Sequence, residues 1–226
     1  MNVLIVYAHP SSTSYNAALK DATIEALLNR GASVKVSDLY AMNFNPVAKM
    51  EDTVVPKNLD KVPEDLRLER EKVSWADYII FQFPMWWTSA PAILKGWFDR
   101  VFAANFAYGP GVYNHGNFKG KKAMLSLTTG GRHLGSYGPK GLKGEMKERL
   151  FSIQHEILYF SGMDVIEPFI VPSGVSEKER KDYIEQLKYR MAGLEHLSTI
   201  PFHVLEDYES GQLKMDSFEK VEVIKI

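Results

Sequence analysis

The sequence predicts a doubly wound α/β fold, in which a five-stranded parallel sheet in the order 2-1-3-4-5 carries helices on both faces. Two observations lead to this fold class. Five short apolar runs alternate with helical patterns along the chain, and the loops that follow three of these runs are polar, tryptophan-rich or glycine-rich. The 226 residues are enough for one domain with a sizeable core, and no shift in composition indicates a second one.

The first run, Val3–Tyr7, is short and apolar, as is typical of a central parallel strand. A helical pattern follows and ends at Gly31, and Val34–Val36 is the second strand. The loop before this helix holds five hydroxyl or amide side chains, Ser11, Ser12, Thr13, Ser14 and Asn16. At a helix N-terminus such groups suit a phosphate, although ordinary helix capping by serine or threonine is the alternative.

The segment Asp38–Asp60 has no regular pattern, and Leu66–Trp75 is a charged helix. The third strand is Tyr78–Phe83, and Pro84 is expected to stop its hydrogen-bond ladder because proline has no N–H. Met85, Trp86 and Trp87 then lie in a loop at the carboxyl end of the strand, where open α/β sheets bind their ligands. A flat, π-rich ligand explains this loop, and ordinary core packing is the alternative.

The next helix, Ala92–Phe102, is apolar on nearly every side. A helix of this kind is buried all round, so a second subunit is expected to cover one of its sides.

The fourth strand, Ala123–Leu127, leads into the glycine-rich segment TTGGRHLGSYGPKGLKG. Glycine lets a backbone approach a ligand closely, so this segment is a candidate ligand-binding loop. The alternative is a flexible loop without such a role. A helix over Glu145–Phe160, a fifth strand over Val165–Val171 and a closing helix over Glu177–Leu197 follow. The charged tail ends in KVEVIKI, which fits either an edge strand or a frayed end.

Composition narrows the possible functions. A net charge of −1 and a pI near 6.6 argue against nucleic acid as a main partner. The absence of cysteine excludes disulfides, thiolate nucleophiles, iron–sulfur clusters and cysteine-based zinc sites, and the six histidines have no paired spacing, so no metal is expected. The N-terminal MNVLIVYAHP has no basic region before its apolar run, and no stretch is long enough for membrane insertion. A cytoplasmic protein is the expectation.

Several sequence blocks resemble the NAD(P)H:quinone dehydrogenases of the DT-diaphorase type, which are flavodoxin-like FAD enzymes. The blocks are VLIVYAHPSSTSYNAALK, SDLYAMNFNP, FQFP with PAILKGWFDRVF, KKAMLSLTTGG and GMDVIEP, in the order of the family. The resemblance covers about residues 1–200, which it implies to be a flavodoxin-like FAD-binding catalytic domain, and leaves residues 201–226 as a C-terminal tail.

The resemblance also implies the residues that bind FAD. The pyrophosphate and adenosine side is assigned to His9, Thr13, Ser14, Tyr15, Asn16 and Ala18. The flavin ring is assigned to Pro84, Met85 and Trp87, with Trp86 beside them in the same loop. The polar edge of the flavin is assigned to Thr128, Thr129, Gly130, Gly131 and Tyr137, and Arg180 matches a cofactor-reaching arginine.

The family implies ping-pong hydride transfer through flavin N5, first from NAD(P)H and then to a quinone, in a homodimer with active sites at its interface. Tyr137 and Lys143 are the catalytic candidates, because lysine stands here where the family has a histidine. Lys143 is a fixed cation that would stabilise negative charge on the reduced flavin without relaying a proton. Tyr108, Trp87 and Thr88 are the candidate substrate-binding residues.

Other readings stay open at this point. An FMN-binding electron carrier is one alternative, and a regulatory flavoprotein subunit of a membrane transporter is another. FAD is expected over FMN, whereas the choice between NADH and NADPH, and between a quinone, azo or nitro acceptor, is left open.

Overall fold

The structure, a computed structural model, describes residues 1–56, 62–215 and 217. Its centre is a five-stranded parallel sheet in the order β2-β1-β3-β4-β5, which confirms the predicted fold class and strand order. The strands are β1 (Asn2–Tyr7), β2 (Ser33–Asp38), β3 (Tyr78–Pro84), β4 (Lys122–Thr129) and β5 (Asp164–Pro172).

In the described part of the chain, five α-helices cover the sheet, α1 (Tyr15–Asn29), α2 (Glu64–Trp75), α3 (Ala92–Val101), α4 (Met146–Ile153) and α5 (Glu177–Ala192). Two of the predicted helices differ in detail. The one over 145–160 changes into a π-helix at Gln154–Tyr159, and the closing helix ends at Ala192 because Gly193 leaves the helical conformation.

The side chains of the central strands alternate between two cores. Leu4 and Val6 of β1 pack in the core that also holds residues of α2, α3 and α4, whereas Val3 and Ile5 pack in the core under α1 and α5. Because helices cover both faces of the sheet, the sequence of β1 is a continuous apolar run rather than an alternation of apolar and polar residues.

Within one chain, helix α3 has a buried side and an exposed side, and its predicted cover by a second subunit stays a prediction. Trp97 and Phe98 are buried and pack against Phe81 of β3. Lys95 and Asp99 instead lie on an exposed stripe and form an ion pair at 2.5 Å. The helical period places residues four apart on one side, so a few polar residues are enough to make a solvent-facing stripe.

Pro84 does not stop the ladder of β3, which corrects an expectation from the sequence. It pairs with Thr128 in register, and the next N–H, that of Met85, donates to the Thr128 carbonyl at 2.8 Å. Successive N–H groups of a strand point to opposite neighbours, so the missing donor at Pro84 faces β1, which ends opposite Gln82. The ladder between β3 and β4 therefore continues past Pro84.

A buried ionic network fastens the irregular segment between β2 and α2 to α3. Arg100 donates to the Asp52 carboxylate at 2.9 Å, to Asp65 at 2.9 Å and to the Asn45 carbonyl at 2.7 Å. Arg70 donates to the carbonyls of Asp52, Arg100 and Val101. The described part of this segment is thus held in place, and within it the structure has one short 3₁₀ turn, at Met50–Asp52.

The chain after α5 returns along the free edge of β5. Thr199 forms a bridge with Ile166, and the Ile200 N–H donates to the Val165 carbonyl at 2.7 Å. A short hairpin follows, β6 (Tyr208–Glu209) and β7 (Gln212–Leu213). The predicted edge strand KVEVIKI lies outside the described residues. Among the helices that the structure describes, none is both long and apolar enough to span a bilayer.

Candidate cofactor and active site

The loops after β1, β3 and β4 meet at one edge of the sheet, as the sequence predicts. The Ala8 N–H donates to the Gln82 carbonyl at 3.0 Å, and Met85 joins the end of β3 to that of β4 through Thr128. The loop after β5 joins them where the Gly174 N–H donates to the Gly131 carbonyl at 2.8 Å. The carboxyl ends of four strands therefore surround one site, as ligand sites of this architecture require.

A buried chain of side-chain hydrogen bonds ties these strand ends together. Gln82 Nε2 donates to Asn16 Oδ1 at 2.8 Å, and Asn16 Nδ2 donates to Thr128 Oγ1 at 2.8 Å. The side chains of Asn16 and Thr128, both predicted to contact the cofactor, thus point into the protein, and only their backbones remain for a ligand. Gln82 was not predicted, although a lone glutamine in the run YIIFQFP is the signal that could have found it.

The start of α1 offers hydrogen-bond donors to an anion. Ser14 caps the helix by accepting from the Ala17 N–H at 3.1 Å, as the capping alternative predicts. The N–H groups of Tyr15 and Asn16 have no acceptor in the part of the chain that the structure describes, and the first turn holds no acidic residue. Free N–H groups at the positive end of a helix dipole suit a phosphate.

The histidine of the first loop lies next to the tryptophan loop. The Ser11 N–H donates to His9 Nδ1 at 3.0 Å, and the His9 ring lies 6.1 Å from the Trp86 ring between centroids. Thr13 is exposed beside it, and its N–H donates to Ser11 Oγ at 3.3 Å. His9 and Thr13 therefore lie together in the loop after β1, and their predicted contact with the cofactor stays a prediction.

The two tryptophans lie on a tight turn with an unfavourable backbone. Trp86 and Ser89 exchange two backbone hydrogen bonds at 3.0 and 3.1 Å, so the turn has only Trp87 and Thr88 at its tip. Both tip residues have positive φ, +47° and +68°, which bulky and β-branched side chains rarely adopt. The side chain of Trp87 is 100% exposed, so core packing does not explain it. Such strain is concentrated at functional sites.

The glycine-rich segment is a folded loop rather than a floppy one. Its two arms are joined where the Lys143 N–H donates to the Ser136 carbonyl at 2.9 Å. This brings Lys143 Nζ to 3.2 Å from Tyr137 Oη and 4.8 Å from the centre of its ring. Gly131 has φ +93°, and a side chain at Gly130 or Gly131 would meet only open space, so both backbones face outward. Thr129 is buried inside β4.

Arg180 lies beside Tyr15, on the side of the site that is predicted to bind the adenosine of the cofactor. Its guanidinium lies 5.3 Å from the ring of Tyr15 and donates to the Ser173 carbonyl at 2.8 Å. Burial raises the pKa of Tyr15 to about 12 although Arg180 opposes the shift, so the phenol stays neutral near pH 7. Ala18 is exposed on the next turn of α1.

Tyr108 does not join this group within one chain. Its ring packs against Phe160 at 5.7 Å, and both line a cavity of about 310 Å³ beside the end of α3. Sequence reasoning did not find Phe160, because the end of a helix carries no distinctive motif. The substrate candidates are thus divided, with Trp87 and Thr88 at the strand ends and Tyr108 at this cavity.

The residues at the strand ends fit a bound flavin nucleotide. Free N–H groups of α1 suit its phosphates, the exposed Trp87 ring suits a flat aromatic system, and open glycine backbone with Tyr137 and Lys143 suits a polar, charge-accepting edge. Such a set supplies binding and electrostatics for electron transfer rather than a nucleophile.

Comparison with known proteins gives a consistent result. A family model described as having a flavodoxin-like fold matches residues 1–194. The chain is 39% identical over 218 residues to ribosyldihydronicotinamide dehydrogenase (quinone) of Pongo abelii, which covers 88% of this chain and 94% of that protein. It is 45% identical over 188 residues to NAD(P)H dehydrogenase (quinone) 1 of Rattus norvegicus, with 75% and 68% covered.

Solved structures are similar as well. One from Klebsiella pneumoniae has a TM-score of 0.82 at 38% identity and covers 90% of this chain and 88% of its own. NAD(P)H:quinone oxidoreductase from Methanothermobacter marburgensis has a TM-score of 0.72 at 27% identity, with 90% and 99% covered.

Proposed function

The chain belongs to the NAD(P)H:quinone dehydrogenase family, whose fold is flavodoxin-like, and from this premise we propose that it reduces quinones by two electrons through bound FAD. The observation that carries the proposal is the exposed Trp87 on its strained turn, between the anion-binding start of α1 and the glycine-rich loop. The exposed ring, the free N–H groups and the open glycine backbone are three different features that one flavin nucleotide would use.

Each loop has a separate task in this proposal. The start of α1, with His9, Thr13 and Ser14, would hold the phosphates, and Tyr15, Ala18 and Arg180 the adenosine side. Pro84, Met85, Trp86 and Trp87 would lie along the ring, and the backbones of residues 128–131 along its polar edge. When bound, FAD would supply at its N5 the hydride chemistry that a ping-pong reaction between NAD(P)H and a quinone needs, and these residues would hold and orient it.

Tyr137 and Lys143 would act on the charge that develops during reduction. The ammonium group donates to the Tyr137 hydroxyl at 3.2 Å, which leaves that hydroxyl's own proton free to donate to an anionic oxygen. The pair therefore offers a hydrogen-bond donor backed by a fixed positive charge, and such preorganised donors stabilise an anion without reorganisation.

We propose a homodimer because the substrate pocket is incomplete in one chain. Trp87 and Thr88 lie at the strand ends, whereas Tyr108 lines a separate cavity beside α3. A second copy would bring its Tyr108 over the Trp87 of the first, and the same face offers exposed apolar side chains at Val47, Met50 and Val54. The catalytic domain of residues 1–200, the tail and the cytoplasmic location stay predictions.

The first test is to identify the cofactor and follow its reduction. We would purify the protein, release and identify the bound flavin, and mix the holoprotein anaerobically with NADH or NADPH. We expect released FAD, full bleaching of the flavin absorbance by at least one nucleotide, and complete recovery on adding a quinone.

Two results would contradict the proposal in different ways. Released FMN that takes up electrons one at a time would favour the electron carrier. FAD that neither nucleotide reduces would favour the regulatory subunit, and co-purification with a membrane transporter would then be the next measurement.

A further inference from the structure

A second concave site lies away from the strand-end loops, between α4 with its π-helix, the free side of β5 and the returning tail. It is a groove of about 870 Å³, a volume within the range of small-molecule sites. None of the residues predicted for the flavin, the substrate or catalysis lines it. Its walls are mainly apolar and aromatic, with Leu150, Phe151, Ile170, Ile200 and Phe202.

Two backbone irregularities shape this groove. The regular helix α4 gives way to a π-helix at Gln154–Tyr159, which widens the helix where it faces β5. On the opposite wall, the register between β4 and β5 shifts between Met124 and Ser126, so that Glu167 and Pro168 bulge out of the sheet. Isolated π-turns and β-bulges are costly and occur often at functional sites.

The aromatic side chains of the groove form ordered ring contacts. His155 is stacked on Phe151 at 4.6 Å with 11° between the planes, and it meets Phe202 edge-on at 4.9 Å. Phe151 nevertheless remains 48% exposed, so this chain leaves part of that ring uncovered. A planar aromatic molecule is the natural partner for a fixed and partly exposed ring.

The polar side chains that line the groove include an unpaired donor. Gln154 lines the groove, is 4% exposed, and its Nε2 has no acceptor among the residues that the structure describes. Buried amide groups nearly always have a partner, so this one calls for a hydrogen-bond acceptor. At the rim, Lys147 is paired with Glu145 at 2.9 Å, and the lining carboxylates of Glu148 and Glu167 disfavour an anionic ligand.

From these observations we infer a second small-molecule site, which binds a neutral, planar aromatic compound that carries a carbonyl acceptor. The ring would stack on Phe151 and the carbonyl would face Gln154. This chemistry includes quinones, so the groove would hold such a compound apart from the reduction site.

Methionine methyl groups allow the two sites to be observed separately in the holoprotein. Met146 lines the groove and Met85 lies in the loop of the candidate active site. We would label the methionine methyl carbons, assign both signals by Met→Leu substitution, and titrate 1,4-naphthoquinone without reductant while recording NMR spectra. The inference predicts a saturable shift of the Met146 signal with its own dissociation constant, different from that of Met85.

The variant Phe151→Ala tests the stacking wall, and Tyr189→Ala removes an exposed aromatic ring from α5, outside the groove, as a control. Loss of a stacked ring and its buried area should weaken binding at Met146 by about tenfold. Tyr189→Ala should not change it, and neither variant should change the Met85 curve or quinone turnover.

Three outcomes would overturn the inference. In the first, the Met146 signal does not move up to the solubility limit of the quinone. In the second, the Met146 signal shifts with the same dissociation constant as the Met85 signal and is unaffected by Phe151→Ala. In the third, the quinone binds only after residues 218–226 have been removed. The last result would identify that segment as the natural occupant of the groove. Because no nucleotide is added, failure here leaves the proposed quinone reduction untouched.

Discussion

Replacing Arg100 by methionine should lower the free energy of unfolding by about 3–5 kcal/mol, because it leaves the buried Asp52 carboxylate without its cation. Asp52 is 1% exposed and Arg100 is 4% exposed, so water cannot substitute for the lost partner. The change also removes the donor to the Asn45 carbonyl. For a domain of this size, about 2–4 °C per kcal/mol gives a fall in Tm of about 6–20 °C.

The assay is urea unfolding at pH 7, with two further variants. Lys95→Met removes the exposed ion pair on the same helix and should cost at most about 1 kcal/mol. Asp52→Asn added to Arg100→Met should restore about half of the loss or more, since it removes the uncompensated charge. The reasoning is refuted if Arg100→Met costs no more than Lys95→Met, or if the second change restores nothing.

The pH dependence gives an independent check. Burial raises the pKa of Asp52, but the hydrogen bonds from Arg100 and the Lys49 N–H outweigh it, so its pKa lies below the ordinary value of 3.8. This carboxylate therefore contributes stability above about pH 3.8 that is lost as the pH falls further. Arg100 makes the largest contribution that lowers the pKa of Asp52, so its removal should raise that pKa, and the gap in stability between variant and parent should narrow from pH 7 to pH 4.

Three further predictions concern the candidate site. Asn16→Ala should cost about 1–3 kcal/mol in urea unfolding, since it leaves two buried partners unpaired, and should speed flavin release; an unchanged release rate would contradict the role of this network. Trp87→Ala should change stability by less than about 0.5 kcal/mol because the ring is exposed, yet lower kcat/KM for the quinone about tenfold; unchanged steady-state kinetics would contradict it. Lys143→Ala should slow flavin reduction about tenfold in stopped-flow measurements and lower the flavin potential, whereas Lys147→Ala should do neither; equal effects would reject the role of Lys143.

The C-terminal tail, like the candidate active site, is held in place by contacts between segments that are far apart in the sequence. Glu206 accepts hydrogen bonds from His115 and Asn114, which together with its backbone hydrogen bond lower its pKa to about 2. The Leu205 N–H donates to Asn114 Oδ1 at 2.9 Å. The tail is thereby fastened to the loop that follows Tyr108, an arrangement that no local sequence pattern indicates.

The sequence alone was sufficient for the fold class, the strand order and the position of the three ligand loops. These depend on local signals, namely apolar runs of strand length, helix caps and glycine, and on the rule that parallel strands present their carboxyl ends together. The family blocks then indicated which loop residues to consider.

Only the tertiary structure decided how those residues are used. The Asn16 side chain points inward, where it accepts from Gln82 and donates to Thr128, and the ladder between β3 and β4 continues past Pro84 because the Met85 N–H donates to the Thr128 carbonyl. The exposure of Trp87, the stripe of Lys95 on α3 and the groove beside β5 likewise depend on which segments pack together. Burial and pairing are properties of contacts between residues far apart in the chain, and a pattern of neighbours along the sequence does not contain them.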